Sequence, residues 1–289
     1  TGWDKEVWLY TIFGYYVLAT LLPVDKIIGS IYPFMGAILL FMAFGIGGAM
    51  VVGALNGSVE MVELTPSMRK NWHFNSAANL IFPMMFIVIS CGAISGFHAT
   101  QSPMMARCLK NEKHARPVFY GAMIAEGIVA MIWATAAMAY FGGPEGLNAA
   151  MSSTGVEING QLIKNAQAAD LVNLICNSWL GKVGAIIAIL GVVICPITSG
   201  DTALRSSRIT IADELNLNHE KLSERIKVAV PLFLVSFGLT FVDFSLIWRY
   251  FAVSQLIVAT IVLYAASAYL INNDKPYVIA LVPAILCTL

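Results

Sequence analysis

Charge is what this sequence has least of. Only 12% of its residues are Asp, Glu, Lys or Arg, 17 basic against 17 acidic, where soluble domains carry about 25%. A water-soluble enzyme of this length needs far more polar cover, and a nucleic-acid binder needs a basic face. Cysteine motifs are missing too. Cys91, Cys108, Cys176, Cys195 and Cys287 are odd in number, widely spaced and in no CxxC or zinc pattern, so neither a disulfide framework nor a metal site follows. No P-loop, HExxH or nucleophile elbow occurs, and there are only four histidines. Neither an enzyme nor a bound cofactor is expected. What is abundant is apolar sequence, 58% of the chain.

The stretches free of charge are 7–24, 27–59, 71–106, 117–144 (interrupted by Glu126), 183–200, 228–242, 250–273 and 276–289. A bilayer core of about 30 Å takes roughly 20 apolar residues in a helix. Long continuous runs are helices and not barrel strands, which would be short and alternating. The expected fold is an all-α polytopic membrane protein with seven to eight transmembrane helices. It reads as a single transmembrane domain over 1–289, part of a larger bundle. The chain opens without an initiator Met and stops inside an apolar run, so a piece of a longer protein is expected.

Lys and Arg in loops set orientation. Arg107, Lys110, Lys113 and Arg116 mark one basic loop, and the 201–227 stretch carries Arg205, Arg208, Lys221, Arg225 and Lys227. Both are expected on the cytoplasmic side. The segment 142–181 between them is then extracytoplasmic, and its part 166–180 has apolar residues at helical spacing, an amphipathic helix. The glycine-rich run 44–57 reads as close helix packing. Arg249, flanked by aromatics, and Asp243 are placed around a short turn between two runs, with Arg249 as a boundary anchor.

Ionisable and polar groups at mid-depth are the anomalies in such a chain. In SCGAISGFHATQSP (90–103), Cys91, Ser95 and His98 fall at i, i+4 and i+7, along one face of a continuous helix. Gly92, Gly96 and Ala99 make an adjoining small-residue stripe for close packing. The polar run Thr100-Gln101-Ser102-Pro103 is expected to unwind and free backbone groups for a substrate or ion. Glu126 lies about 15 Å along a helix from Arg116, and His98 about 14 Å from Arg107. The pair therefore reaches similar depth and suits a proton site. In CPITSGDTALRSSR (195–208), Pro196 and Gly200 are expected to break the helix. Thr198, Ser199 and Asp201 supply oxygens, and Thr198 and Ser199 are the candidate Na⁺ ligands. Asp201 and Arg205 also fit an ordinary i, i+4 ion pair.

Residues 90–109 (SCGAISGFHATQSPMMARCL), 195–208 (CPITSGDTALRSSR) and 244–259 (FSLIWRYFAVSQLIVA) resemble, in order, three segments of the carbon starvation protein A family. These are bacterial inner-membrane transporters associated with peptide or pyruvate uptake. The resemblance spans most of 75–271. It implies inverted repeats and broken helices around a central site, with His98, Thr198 and Ser199 near substrate or ion. Family members are longer, and after a segment like Leu21-Leu22-Pro23-Val24 they carry a tryptophan-rich stretch and a Pro-Arg-Asp-Tyr motif. Here Asp25 follows Val24 directly, so a block missing between 24 and 25 is expected.

The reading that follows is a secondary transporter importing short peptides across the bacterial inner membrane during carbon starvation, coupled to H⁺ or Na⁺. Its partners are the lipid bilayer and a small-molecule substrate. A pyruvate/proton symporter is the alternative, and the residues leave the two open. A non-transporting membrane sensor or structural subunit is the rival from another class. Oligomeric state is not readable.

Overall fold

In a segment with no water to bond to, the backbone must satisfy itself, and the apolar runs of this chain do so as helices. The computed structural model describes residues 5–21, 28–61, 80–91, 94–217 and 221–288. Ten α-helices occur among the described residues. They are α1 Lys5–Leu21, α2 Ile28–Leu55, α3 Ile81–Cys91, α4 Gly96–Cys108, α5 Ala122–Tyr140, α6 Pro144–Met151, α7 Ala168–Glu214, α8 Leu222–Leu239, α9 Phe244–Asn272 and α10 Val278–Thr288. A short 3₁₀ turn, Glu112–His114, and a π-helical turn, Arg116–Gly121, lead into α5.

Among the described residues four stretches are long and apolar enough to cross a membrane: Pro33–Leu55, Glu112–Tyr140, Ala168–Glu214 and Leu246–Asn272. Val7–Leu18 and Val278–Thr288 are shorter apolar helices. Beside the seven to eight spans expected, four meet the length among the described residues. Phe44, Leu55, Val88, Met131, Val183 and Ile279 are each at least 70% exposed, an arrangement water would punish and lipid does not. The chain is an all-α membrane protein.

It divides into two compact units. The first comprises Thr1–Ile28, Pro83–Met123 and Ile197–Leu289; the second comprises Gly29–Phe82 and Ile124–Pro196. In the second, Met42, Ile46 and Met50 of α2 meet Ala136 of α5 and Cys176, Ala185 and Ala188 of α7 in one buried cluster. The glycine-rich run packs closely, as its composition suggests: Gly47 stands against Ile132 and Gly45 against Leu180. A smaller cluster of Phe141, Ala150 and Leu171 lies under a hairpin of β1 Val156–Ile158 and β2 Gln161–Ile163. Its turn is Asn159-Gly160, both at positive φ, the strongest short hairpin signal a sequence offers. In the first unit, α9 packs on α10 and α4, and α1 on α8, with Phe13 and Phe237 edge to face at 5.3 Å.

Three expectations change. The helix does not unwind at Thr100–Pro103; the interruption lies earlier, between Cys91 and Gly96, so Cys91, Ser95 and His98 do not share a continuous helix. Ser95 starts α4 as its cap, extended at φ −94, ψ 129, its Oγ accepting from Phe97 N at 3.1 Å. The polar run stays helical because its hydroxyls fold back: Thr100 Oγ1 donates to Phe97 O at 2.8 Å and Ser102 Oγ to His98 O at 2.7 Å. The second change is in α7, which continues through Pro196 and Gly200 to Glu214. Thr202 Oγ1 there donates to the carbonyls of Thr198 and Ser199. Its only non-helical residue is Gly181, at φ 64, ψ −179, joining the amphipathic segment to the membrane segment. Third, Arg249 lies inside α9 and not in a turn; Asp243 does sit at the turn, its Oδ1 accepting from Leu246 N.

Single prolines sit inside α2 (Pro33), α4 (Pro103), α7 (Pro196), α8 (Pro231) and α10 (Pro283). The Val24–Asp25 junction, Gly92, His73, His219, residues 71–79 of the third apolar run and the chain's two ends lie outside the described residues.

Candidate functional site

Burial of polar side chains is concentrated in the first unit. Among the described residues, the buried polar ones are Ser95, Asp201, Ser206, Arg208 and Ser267. Ser95 begins α4, and Asp201, Ser206 and Arg208 lie on α7. Ser206 Oγ donates to the Thr100 carbonyl at 3.0 Å, which fixes α7 against α4 beside the polar run.

Asp201 is 1% exposed, and its Oδ2 accepts from Arg205 Nη2 at 3.1 Å. The i, i+4 spacing delivers this pair whichever role Asp201 has. From α1, Tyr15 and Tyr16 both feel the Asp201 carboxylate, and the Tyr16 ring lies across Gly200, where a Cβ would collide with it. Arg208 shares the Asp201–Arg205 face two turns on, buried, with the like charges of Arg205 and Arg225 acting on it. Thr198, half-buried, and Ser199, exposed, lie three and two residues before Asp201.

On α4, His98 is half-buried with its ring edge-on to Phe97, centroids 6.4 Å apart. Thr100 is exposed, its hydroxyl engaged with its own helix. His98 belongs to the first unit and Glu126 to the second. Within the second unit, Glu126 is exposed on α5 and its charge acts on the Cys195 thiol of α7. Ser95, His98 and Thr100 on α4, and Thr198, Ser199 and Asp201 on α7, therefore fall in one unit, joined by the Ser206–Thr100 bond. Among the described residues no three of His, Cys, Asp and Glu gather in a metal-binding group.

A family model described as carbon starvation protein CstA matches residues 1–174, more than half the chain. The chain belongs to the carbon starvation protein CstA family. The match includes the first signature segment; the segments at 195–208 and 244–259 lie beyond it. A Haemophilus influenzae protein described as an uncharacterized membrane protein is 45% identical over 53% of this chain and 45% of its own length. The pyruvate/proton symporter BtsT of Escherichia coli is 34% identical over 44% of this chain and 18% of its own length. The peptide transporter CstA of Helicobacter pylori is 31% identical over 43% and 18%. This CstA-family chain thus spans less than half the length of these three relatives. No solved structure matches it. It is a multi-pass protein of the bacterial inner membrane.

Reading the sequence named Gln101 only within the run 100–103 and singled out neither Ser206 nor Gln255. Gln255 carried a signal of its own, a carboxamide inside the apolar run 250–273.

Proposed function

We propose that this chain is part of a secondary transporter that imports short peptides, coupled to H⁺ or Na⁺. The reading is supported by where the polar atoms are buried: Ser95, Asp201, Ser206 and Arg208 all fall in the first two signature segments. Polar side chains held within an apolar bundle are costly and usually mark a solute pathway. In this reading Ser95, His98 and Thr100 on α4 and Asp201 on α7 line the substrate or ion path. Thr198 and Ser199 are the oxygen ligands available to Na⁺, and His98 and Glu126 carry protons. No cofactor takes part.

A second reading, pyruvate with a proton, is favoured by the Escherichia coli relative named for that activity. Uptake of labelled dialanine and labelled pyruvate into vesicles containing the full-length protein, with and without pH and Na⁺ gradients, separates the two. His98→Ala and Glu126→Gln are expected to lower uptake at least tenfold and to weaken its dependence on the pH gradient. Unchanged uptake and coupling in both variants would overturn this assignment of the proton path.

A further inference from the structure

Arg208 lies in the first unit, only 9% exposed, on the α7 face that Asp201 and Arg205 share. A charge so placed is ordinarily paired, because taking it out of water is costly. Arg205 meets that need one turn after Asp201, at 3.1 Å. Arg208 does not. The positions three and four residues to either side of it are Leu204, Arg205, Ile211 and Ala212, so its own helix puts no acid within reach. Asp213, the next acid along α7, is engaged by Arg107 at 3.3 Å.

Among the described residues no hydrogen bond or ion pair reaches Arg208. The charges that act on it are like ones, Arg205 on its own helix and Arg225 on α8. Of its three guanidinium nitrogens only Nε is sealed from solvent, so the two Nη nitrogens are the edge a ligand can meet. A planar fork of this kind holds a carboxylate through two parallel N–H···O bonds, which a point cation cannot do. A purely structural charge is given a resident acid, as Arg205 is. A group that takes up an anion and lets it go is not. Arg208 also lies six residues before Glu214, about 9 Å from the end of α7, in the stretch expected to face the cytoplasm, where an imported solute leaves.

We propose that Arg208 is a carboxylate-binding residue of the transport site, holding the carboxylate of a peptide or of pyruvate at its Nη edge while Arg225 adds attraction. The proposal rests on the transport reading above and deepens it by naming the substrate group and the residue that binds it.

The test uses the full-length protein, by thermal shift in detergent and by uptake into proteoliposomes. The probes are dialanine, dialanine amide, pyruvate and inorganic phosphate at fixed Na⁺ and ionic strength. Dialanine and pyruvate should raise the unfolding temperature, and the amide and phosphate should be about tenfold weaker or more. Arg208→Met should lose both shifts and raise KM about tenfold or more, the scale of a hydrogen bond to a charged group. Without ligand it should unfold no lower than the unsubstituted protein, since no pair is broken. Arg208→Lys should recover part of the shifts. A ligand-free loss of stability in Arg208→Met that Arg208→Lys does not share would reveal a resident acid and overturn the site. Amide or phosphate as potent as dialanine would overturn it too. So would phosphatidylglycerol that gives the same Arg208-dependent shift and blocks that of pyruvate, since the occupant is then a lipid headgroup. Arg208-dependent shifts without uptake would sink the transport reading and sustain the site, and uptake with an unchanged KM in Arg208→Met would do the reverse.

Discussion

Removing the Arg205 guanidinium measures how much the carboxylate beneath it depends on a counter-charge. Asp201 is 1% exposed and Arg205 18%, so bulk water does little for either. Breaking a buried pair from one side costs on the order of 3–5 kcal/mol, while replacing both partners by well-packed neutral groups is far milder. Arg205→Met should therefore lower the thermal unfolding temperature in detergent sharply, and Asp201→Asn with Arg205→Met should recover much of the loss. A double variant no better than the single would show that the pair is not what stabilises this face. The pair itself was legible in the sequence, because helical spacing alone brings positions 201 and 205 together. Gln255 was legible only as an oddity. Its neighbourhood depends on the approach of α9 to Gly96, which no local pattern states.

At the scale of elements, α7 turns on a single residue. Gly181 sits at φ 64, ψ −179, a conformation nearly restricted to glycine, and a Cβ there would meet nothing within 4 Å. Gly181→Ala should accordingly destabilise by about 1–3 kcal/mol through backbone strain alone. Gly127, helical and also open around its Cβ position, should gain up to about 1 kcal/mol on the same change. Thermal denaturation of the two variants checks the contrast in sign, and equal effects would count against it. The apolar runs foretold most of the helices, since lipid leaves the backbone no other choice. Where those helices break was harder to read. Thr100, Ser102 and Thr202 turn their hydroxyls onto their own helix, so stretches rich in polar residues stayed wound. The break came at Ser95, whose capping hydroxyl starts a new helix. The β1–β2 hairpin carried its Asn-Gly signal in plain view, just before the stretch 166–180 read as an amphipathic helix.

For the molecule as a whole, the arrangement of basic residues predicts an orientation that chemistry can check. Cys108 is exposed at the end of α4, in the basic stretch with Arg107, Lys110, Lys113 and Arg116, which the positive-inside rule puts in the cytoplasm. Gln161, exposed in the hairpin, belongs to the segment expected outside. In a full-length protein whose other cysteines are replaced by alanine, an impermeant maleimide should reach Cys108 only in inside-out vesicles. A Gln161→Cys substitution in a background lacking Cys108 should label only in right-side-out ones. The opposite pattern would invert the topology.

The internal prolines of α2, α4, α7, α8 and α10 each remove one N–H from the ladder that stiffens its helix. A rod missing a rung has an uneven modulus, and it yields first where the rung is gone. Among the described residues five helices therefore carry a softer joint at a position written into the sequence, and bending at those joints costs less than along an unbroken ladder.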